Sequence, residues 1–245
     1  MEAATRSRLT SEQVEHFDKH GYSLFNQPVF EAAEFARLTA EFERCLEKYG
    51  AADLDTIHFR EPVFLDFLMN DKVLDLVEPL IGPNIGIWSS HFICKEPRTG
   101  KATPWHEDSA YWNGRTSTME GIVTVWLAID RAFPENGSMG VVPGTHSGGF
   151  SEYQKVDGGT NIFETEVIGV DESKAVYFTL EPNECSLHEA RIIHGAKANT
   201  SEFRRCGYTM RYFPTTTEVL PERNQGHKVW LARGKNLSKT KFENE

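Results

Sequence analysis

Apolar residues recur at helical spacing in the first third of the chain, and at alternating or continuous spacing after it. Leu9-Thr10-Ser11-Glu12-Gln13 reads as a helix start. Thr10 or Ser11 can cap it, and Glu12 suits the first turn. Val14 and Phe17 then share a face, Gly21-Tyr22 ends the helix, and Tyr22-Ser23-Leu24-Phe25 predicts a short strand. Phe35, Leu38, Phe42, Cys45 and Leu46 recur every three or four positions and predict a longer helix over residues 31–49. Phe64, Phe67, Leu68, Val73, Leu76, Val77 and Leu80 carry one further helical pattern over residues 62–81, closed by Gly82-Pro83-Asn84.

Beyond that point the pattern is that of strands. Residues 85–94 are strand-like, and Gly121–Ile129 is a continuous apolar run rich in β-branched residues, as a buried strand requires. Val141-Val142 and the turn Pro143-Gly144-Thr145-His146 follow, then strands predicted near 166–170, 175–180, 185–194 and 205–213. Helices first and strands afterwards indicate an α+β protein with an antiparallel core such as a double-sheet jelly roll. No internal repeat or linker interrupts the chain, so residues 1–245 read as a single domain, with a polar tail over 220–245 expected to fray.

Composition narrows the partners. The formal net charge is −10, with 26 basic against 36 acidic residues and no basic stripe, which argues against nucleic acid and against an anionic membrane surface. The first seventeen residues hold no apolar leader core, and no later run is long enough to span a bilayer. A cytoplasmic protein is the expectation. Cys45, Cys94, Cys185 and Cys206 show no Cys-x-x-Cys spacing, which excludes a zinc ribbon and suggests reduced core thiols.

The candidate chemistry lies in Trp105-His106-Glu107-Asp108 and, far downstream, Ile193-His194-Gly195. On a strand, positions i and i+2 point to the same face, so His106 and Asp108 can act together. His194 must arrive from another strand. Two imidazoles and one carboxylate make a facial triad that leaves open positions on non-haem Fe(II). A bare His-x-Asp arises often by chance, and its flanks decide how it is read.

Those flanks resemble the phytanoyl-CoA dioxygenase-like family. The resemblance rests on Leu9–Tyr22, on Gly82-Pro83-Asn84-Ile85, and on Lys95-Glu96-Pro97 followed by Pro104–Asp108. It continues through Val125-Trp126-Leu127-Ala128, Glu135–Met139, Val142–His146 and His194-Gly195-Ala196 with Asn199, in order over residues 9–213. It implies a double-stranded β-helix, cupin-like, with the N-terminal helices packed on one sheet. It also implies Fe(II)- and 2-oxoglutarate-dependent oxidation of a small molecule by O₂, with release of succinate and CO₂. His106, Asp108 and His194 would be the metal ligands. Halogenating relatives lack the carboxylate, so Asp108 argues against halogenation.

The family places the arginine that anchors the distal carboxylate of 2-oxoglutarate eleven residues after the distal histidine, which here is Arg205. Its neighbour Arg204 competes, because a slip of one residue exchanges the sheet faces. Arg205 shares a face with Gly207, which would leave room for a ligand, with Thr209, which could donate from its hydroxyl, and with Arg211. Trp126 aligns with a family tryptophan near the co-substrate. Ala196 replaces the serine that usually helps hold it. His91, Tyr111, Trp112 and Arg115 lie near the metal segment and are candidates for lining the co-substrate and substrate pocket. His188 shares strand parity with His194, and His146 belongs to a structural turn. Two other readings are a cupin-type metal dioxygenase or isomerase that needs no co-substrate, and a member of the fold that binds without turnover.

Overall fold

The computed structural model describes residues 8–245; residues 1–7, part of the polar start read above for a leader, lie outside the described residues. Helix α1 (Ser11–His20) is held by a reciprocal capping box. The Thr10 hydroxyl accepts from the Gln13 amide, and the Gln13 side chain accepts from the Thr10 amide. Gly21, at φ 80°, turns the chain out of the helix into β1 (Tyr22–Phe25). Helix α2 (Ala32–Tyr49) buries the stripe Leu38, Phe42 and Cys45.

The single helix expected over 62–81 is two helices, α3 (Val63–Leu68) and α4 (Asp71–Ile81). Asn70 breaks them apart with an extended backbone, and its side chain accepts from the Lys72 amide to cap α4. The apolar stripe runs through the break because Phe64, Phe67, Val73, Leu76 and Val77 all enter one core.

That core lies between the helices and a six-stranded antiparallel sheet. The sheet contains β2 (Ile85–Lys95), β4 (Val123–Ala128), β9 (Cys185–Glu189), β11 (Arg205–Pro214) and β12 (Trp230–Arg233), in the order β1-β9-β4-β11-β2-β12. Alternation sorts its side chains. Val123, Val125 and Leu127 of β4, with Cys206, Tyr208, Met210 and Tyr212 of β11, face the helices. The intervening residues face a second sheet made of β3 (Thr103–His106), β5 (Met139–Val141), β8 (Val176–Tyr177) and β10 (His194–Ala196), in the order β3-β10-β5-β8. A short hairpin, β6 (Tyr153–Lys155) with β7 (Thr165–Val167), lies outside both sheets. Burial on both faces is why β4 reads as a continuous apolar run. The result is an α+β jelly roll.

Two expectations change. The strand predicted over 185–194 is two strands in different sheets, β9 and β10, joined by the turn at residues 190–193. The tail does not fray: β12 extends the larger sheet beside β2, Trp230 is buried, and Phe242 stacks on Phe213 at 6.0 Å. Among the described residues no helix is long and apolar enough to cross a membrane.

Candidate metal centre

His106 ends β3, and His194, which opens β10, is its direct cross-strand partner. Asp108 does not lie on a strand. It is the first residue of a short helix, α5 (Asp108–Trp112), preceded by Glu107 in an extended conformation (φ −113°, ψ 131°). That one extended residue is enough to bring the side chains at 106 and 108 to the same side. The His106 and His194 Nε2 atoms lie 3.9 and 4.0 Å from Asp108 Oδ1. Donor atoms of all three residues lie within 4.8 Å of one another. The 3.9 and 4.0 Å separations are within reach of two bonds of roughly 2.0–2.2 Å meeting at one ion.

Each ring is oriented from behind. His106 Nδ1 is 2.8 Å from the Pro104 carbonyl oxygen, and His194 Nδ1 is 3.0 Å from that of Ile192. A carbonyl only accepts, so Nδ1 carries the proton and Nε2 keeps its lone pair for a metal. Burial pushes the His106 imidazole down to about 3, and the neighbouring His194 ring adds to the effect. Burial is the largest single effect on the Asp108 carboxylate and works against its charge, but the Arg211 guanidinium together with the His194, His106 and His188 rings outweighs it and holds the group well below the usual carboxylate range. Arg211 Nε lies 3.4 Å from Asp108 Oδ2, and the Thr124 hydroxyl donates to the same oxygen at 3.5 Å. One carboxylate oxygen is thereby engaged by the protein while the other faces the imidazoles.

These groups open into a cavity of about 380 Å³ between the sheets. Arg205 lies on its wall, 3 % exposed, with Nη2 donating to the Gly137 carbonyl at 2.7 Å and Nη1 to that of Ile93 at 3.3 Å. Its Nε has no hydrogen-bond partner among the described residues, and burial lowers its pKa to about 10. Arg204 turns the other way and pairs with Asp130 at 2.8 Å and Glu43 at 2.6 Å. Trp126 lies beside Arg205, whose guanidinium sits 5.5 Å from the ring centroid. Gly207 makes room for that ring rather than for a ligand, since a Cβ there would meet Trp126 at 2.1 Å. Thr209 lines the cavity but spends its hydroxyl hydrogen on the His91 carbonyl at 2.9 Å. The His91 ring also faces the cavity, 3.6 Å from Asp55, and burial holds it down at about 4.

His188 lines the cavity, its ring 4.9 Å from that of His194, although it reaches there from the other sheet and not by strand parity. Among the described residues neither of its ring nitrogens has a hydrogen-bond partner. His146 is structural: it packs under Gly21, and its Nε2 lies 3.2 Å from the Asp18 carbonyl oxygen.

Three cavity features escaped the sequence reading. Arg211 was legible as a face-mate of Arg205 three steps of the alternation along, but nothing local tied it to Asp108. Trp88 is the extra residue of a β-bulge, because Arg211 pairs with Ser89 and Tyr212 with Ile87, and the bulge aims its indole into the cavity. His227 and Asn224 come from the tail: Asn224 accepts from Arg115 Nε at 2.8 Å, and His227 Nε2 lies 2.9 Å from the Trp88 carbonyl oxygen.

Comparison with known proteins follows this geometry. Residues 17–207 match the family model described as phytanoyl-CoA dioxygenase (PhyH). A phytanoyl-CoA dioxygenase domain-containing protein 1 homolog from Caenorhabditis elegans is 27% identical over 209 residues, covering 81% of this chain and 68% of that protein. Peroxisomal phytanoyl-CoA dioxygenase from Homo sapiens is 34% identical over 141 residues, covering 55% of this chain and 41% of that one. Among solved structures, the non-heme alpha ketoglutarate dependent carbocyclase SnoK from nogalamycin biosynthesis shares the fold with a TM-score of 0.72 at 21% identity, over 89% of both chains.

Proposed function

The chain belongs to the phytanoyl-CoA dioxygenase family, and from that premise we propose that it is an Fe(II)- and 2-oxoglutarate-dependent dioxygenase that hydroxylates a small molecule. In this reading the whole chain is one catalytic domain. His106, Asp108 and His194 hold the iron, and Arg205 receives the distal carboxylate of 2-oxoglutarate. The donor set fits the metal: two imidazoles tied through Nδ1 to backbone carbonyls with Nε2 turned to the centre, and one ionised carboxylate. Fe(II) with 2-oxoglutarate supplies, when bound, the oxidising chemistry that consumes O₂ and releases succinate and CO₂.

The protein's part is placement. The Pro104 and Ile192 carbonyls fix the imidazole tautomers, and Arg211 with Thr124 holds the outer oxygen of Asp108. Trp126 and Met139 give the co-substrate end an apolar wall, which keeps water from the reacting atoms.

The observation that carries the reading is Arg205. A buried guanidinium with only carbonyl partners is a costly arrangement, and an anion that docks against it offsets the cost. A cofactor-independent cupin enzyme would have no use for this group. The test is oxygen uptake by the Fe(II)-loaded protein, with succinate measured alongside. Uptake that tracks succinate and stops without 2-oxoglutarate supports the proposal; oxygen consumption without 2-oxoglutarate supports the cofactor-independent reading, and no uptake at all supports a binding protein. A cytoplasmic location belongs to the same proposal. Cell fractionation against a peroxisomal marker tests it, since the human relative is named as peroxisomal.

A further inference from the structure

The cavity has two ends, and only one is used by the co-substrate in the reading above. The other end is built from Trp88, Trp112, Arg115 and Arg211. The two indoles meet edge to face at 6.0 Å. Arg115 lies over Trp88 at 4.8 Å and Arg211 over Trp112 at 5.3 Å. Both guanidiniums are already oriented. Asn224 holds Arg115 by its Nε, which leaves the two terminal amino groups as a fork. Arg211 turns its Nε to Asp108 and one terminal amino group toward the Ser89 hydroxyl at 3.4 Å. Among the described residues neither side chain is held by a carboxylate of its own beyond Asp108, which would also ligate the metal in the reading above.

A charge count over the cavity points the same way. Arg115, Arg205 and Arg211 face only Asp55 and Asp108. Fe(II) and the 2-oxoglutarate dianion cancel each other, so one positive charge is left over. Asp55 lies at the mouth with its side chain 63 % exposed, where water screens it, so the interior excess is larger than the count suggests. The histidines do not alter this at neutral pH, because burial holds His91 and His227 down at about 4. A cationic pocket inside a protein of net charge −10 is a local construction, not a reflection of the surface.

We propose that the substrate is a small carboxylate with an apolar body, its carboxylate received between Arg115 and Arg211 and its body lying against Tyr111 and Phe163 beside the metal. This deepens the oxygenase reading and rests on it. Tyr111 and Phe163 form the apolar wall at the reacting centre, with ring centroids 5.9 and 5.1 Å from that of His106 and 5.4 Å from each other. The volume sets the size. A cavity of about 380 Å³ that must also hold 2-oxoglutarate leaves space inside for a small body only. Two guanidiniums give the carboxylate charge-assisted hydrogen bonds, and the indoles beneath them exclude water and strengthen those bonds.

The test uses matched probes, 3-phenylpropanoate and its uncharged amide, 3-phenylpropanamide. They are titrated into the Zn(II)-loaded protein with 2-oxoglutarate present and O₂ excluded, and binding is read from tryptophan fluorescence. The acid should bind about ten- to a hundredfold more tightly than the amide, as expected for losing a hydrogen bond to a charged group. Arg115→Gln should erase most of that difference. Equal binding of acid and amide, or a preference for hexanoyl-CoA over hexanoate, overturns the proposal. So does an acid preference that survives Arg115→Gln. If that variant does not fold, the comparison of probes on the unaltered protein still decides. Titration of 2-oxoglutarate alone is read separately, and its failure to bind the metal-loaded protein would count against the oxygenase reading rather than against the substrate class.

Discussion

Asp108 divides its two oxygens between two tasks, and that division explains why a carboxylate can stay ionised in a closed site. Oδ1 faces the imidazoles of His106 and His194, while Oδ2 is engaged by Arg211 and Thr124. Removing a single metal ligand should therefore cost the metal and not the fold. His106→Ala is expected to lose stoichiometric Fe(II) binding and turnover while keeping its circular dichroism, since the ring lines the cavity and lies outside the main apolar core. Retained activity at saturating Fe(II) would refute the role. Arg205 and Arg204 differ just as sharply. Arg205→Lys keeps a charge but loses the planar fork, and the KM for 2-oxoglutarate should rise about ten- to a hundredfold. Arg204→Lys alters only a half-exposed pairing with Asp130 and Glu43 and should leave that KM unchanged.

At the level of elements, alternation along β11 does most of the sorting. Its even positions, from Cys206 to Tyr212, enter the core against the helices, and its odd positions face the cavity. Gly207 shows how tight the second face is. A methyl group there would meet the Trp126 ring at 2.1 Å, so the ring, and with it the wall beside Arg205, must move. Gly207→Ala should lose about 1–3 kcal/mol of stability, as overpacking usually does. It should also weaken 2-oxoglutarate binding; a variant with wild-type urea midpoint and wild-type KM would show that the ring yields freely. The odd-residue face of β11 was readable from spacing alone. The division of 185–194 into β9 and β10 was not, because both halves are apolar and only their hydrogen-bond partners differ.

For the molecule as a whole, the tail and the first half of the chain meet around neutral, buried histidines. Burial pushes His58 down to about 3, with the nearby His227 adding to it, and pushes His227 to about 4, with Arg115 contributing. In the unfolded chain both bind a proton near 6.5. Between these limits the unfolded state takes up more protons than the folded one, so stability is full above about pH 6.5 and is lost as the pH falls toward 4 and below. Each such histidine contributes up to about 1.4 kcal/mol per pH unit in that window. Urea titrations of the metal-free protein at pH 7 and pH 5 should show a lower midpoint at pH 5. A His58→Gln variant should show a smaller drop, and an unchanged midpoint in the parent protein would contradict the assignment.

Much of this protein was written in local patterns. Helical spacing located α1 and α2, strand-like and continuous apolar runs located β2, β4 and β11, and His106, Asp108 and His194 stood out with their flanks because ligand type and spacing are properties of short segments. What required the folded chain was everything that depends on distant partners. The bulge at Trp88 exists only in register with β11. Arg211 acquires its meaning from Asp108, which lies 103 positions away and 3.4 Å distant. The polar tail becomes a wall of the cavity because the open edge of β2 has unpaired backbone groups that β12 satisfies. Periodicity records which face of an element is buried, but it carries no record of what lies opposite that face. Sheet order, bulges and charge partners are settled by backbone hydrogen bonding and packing between segments far apart in sequence.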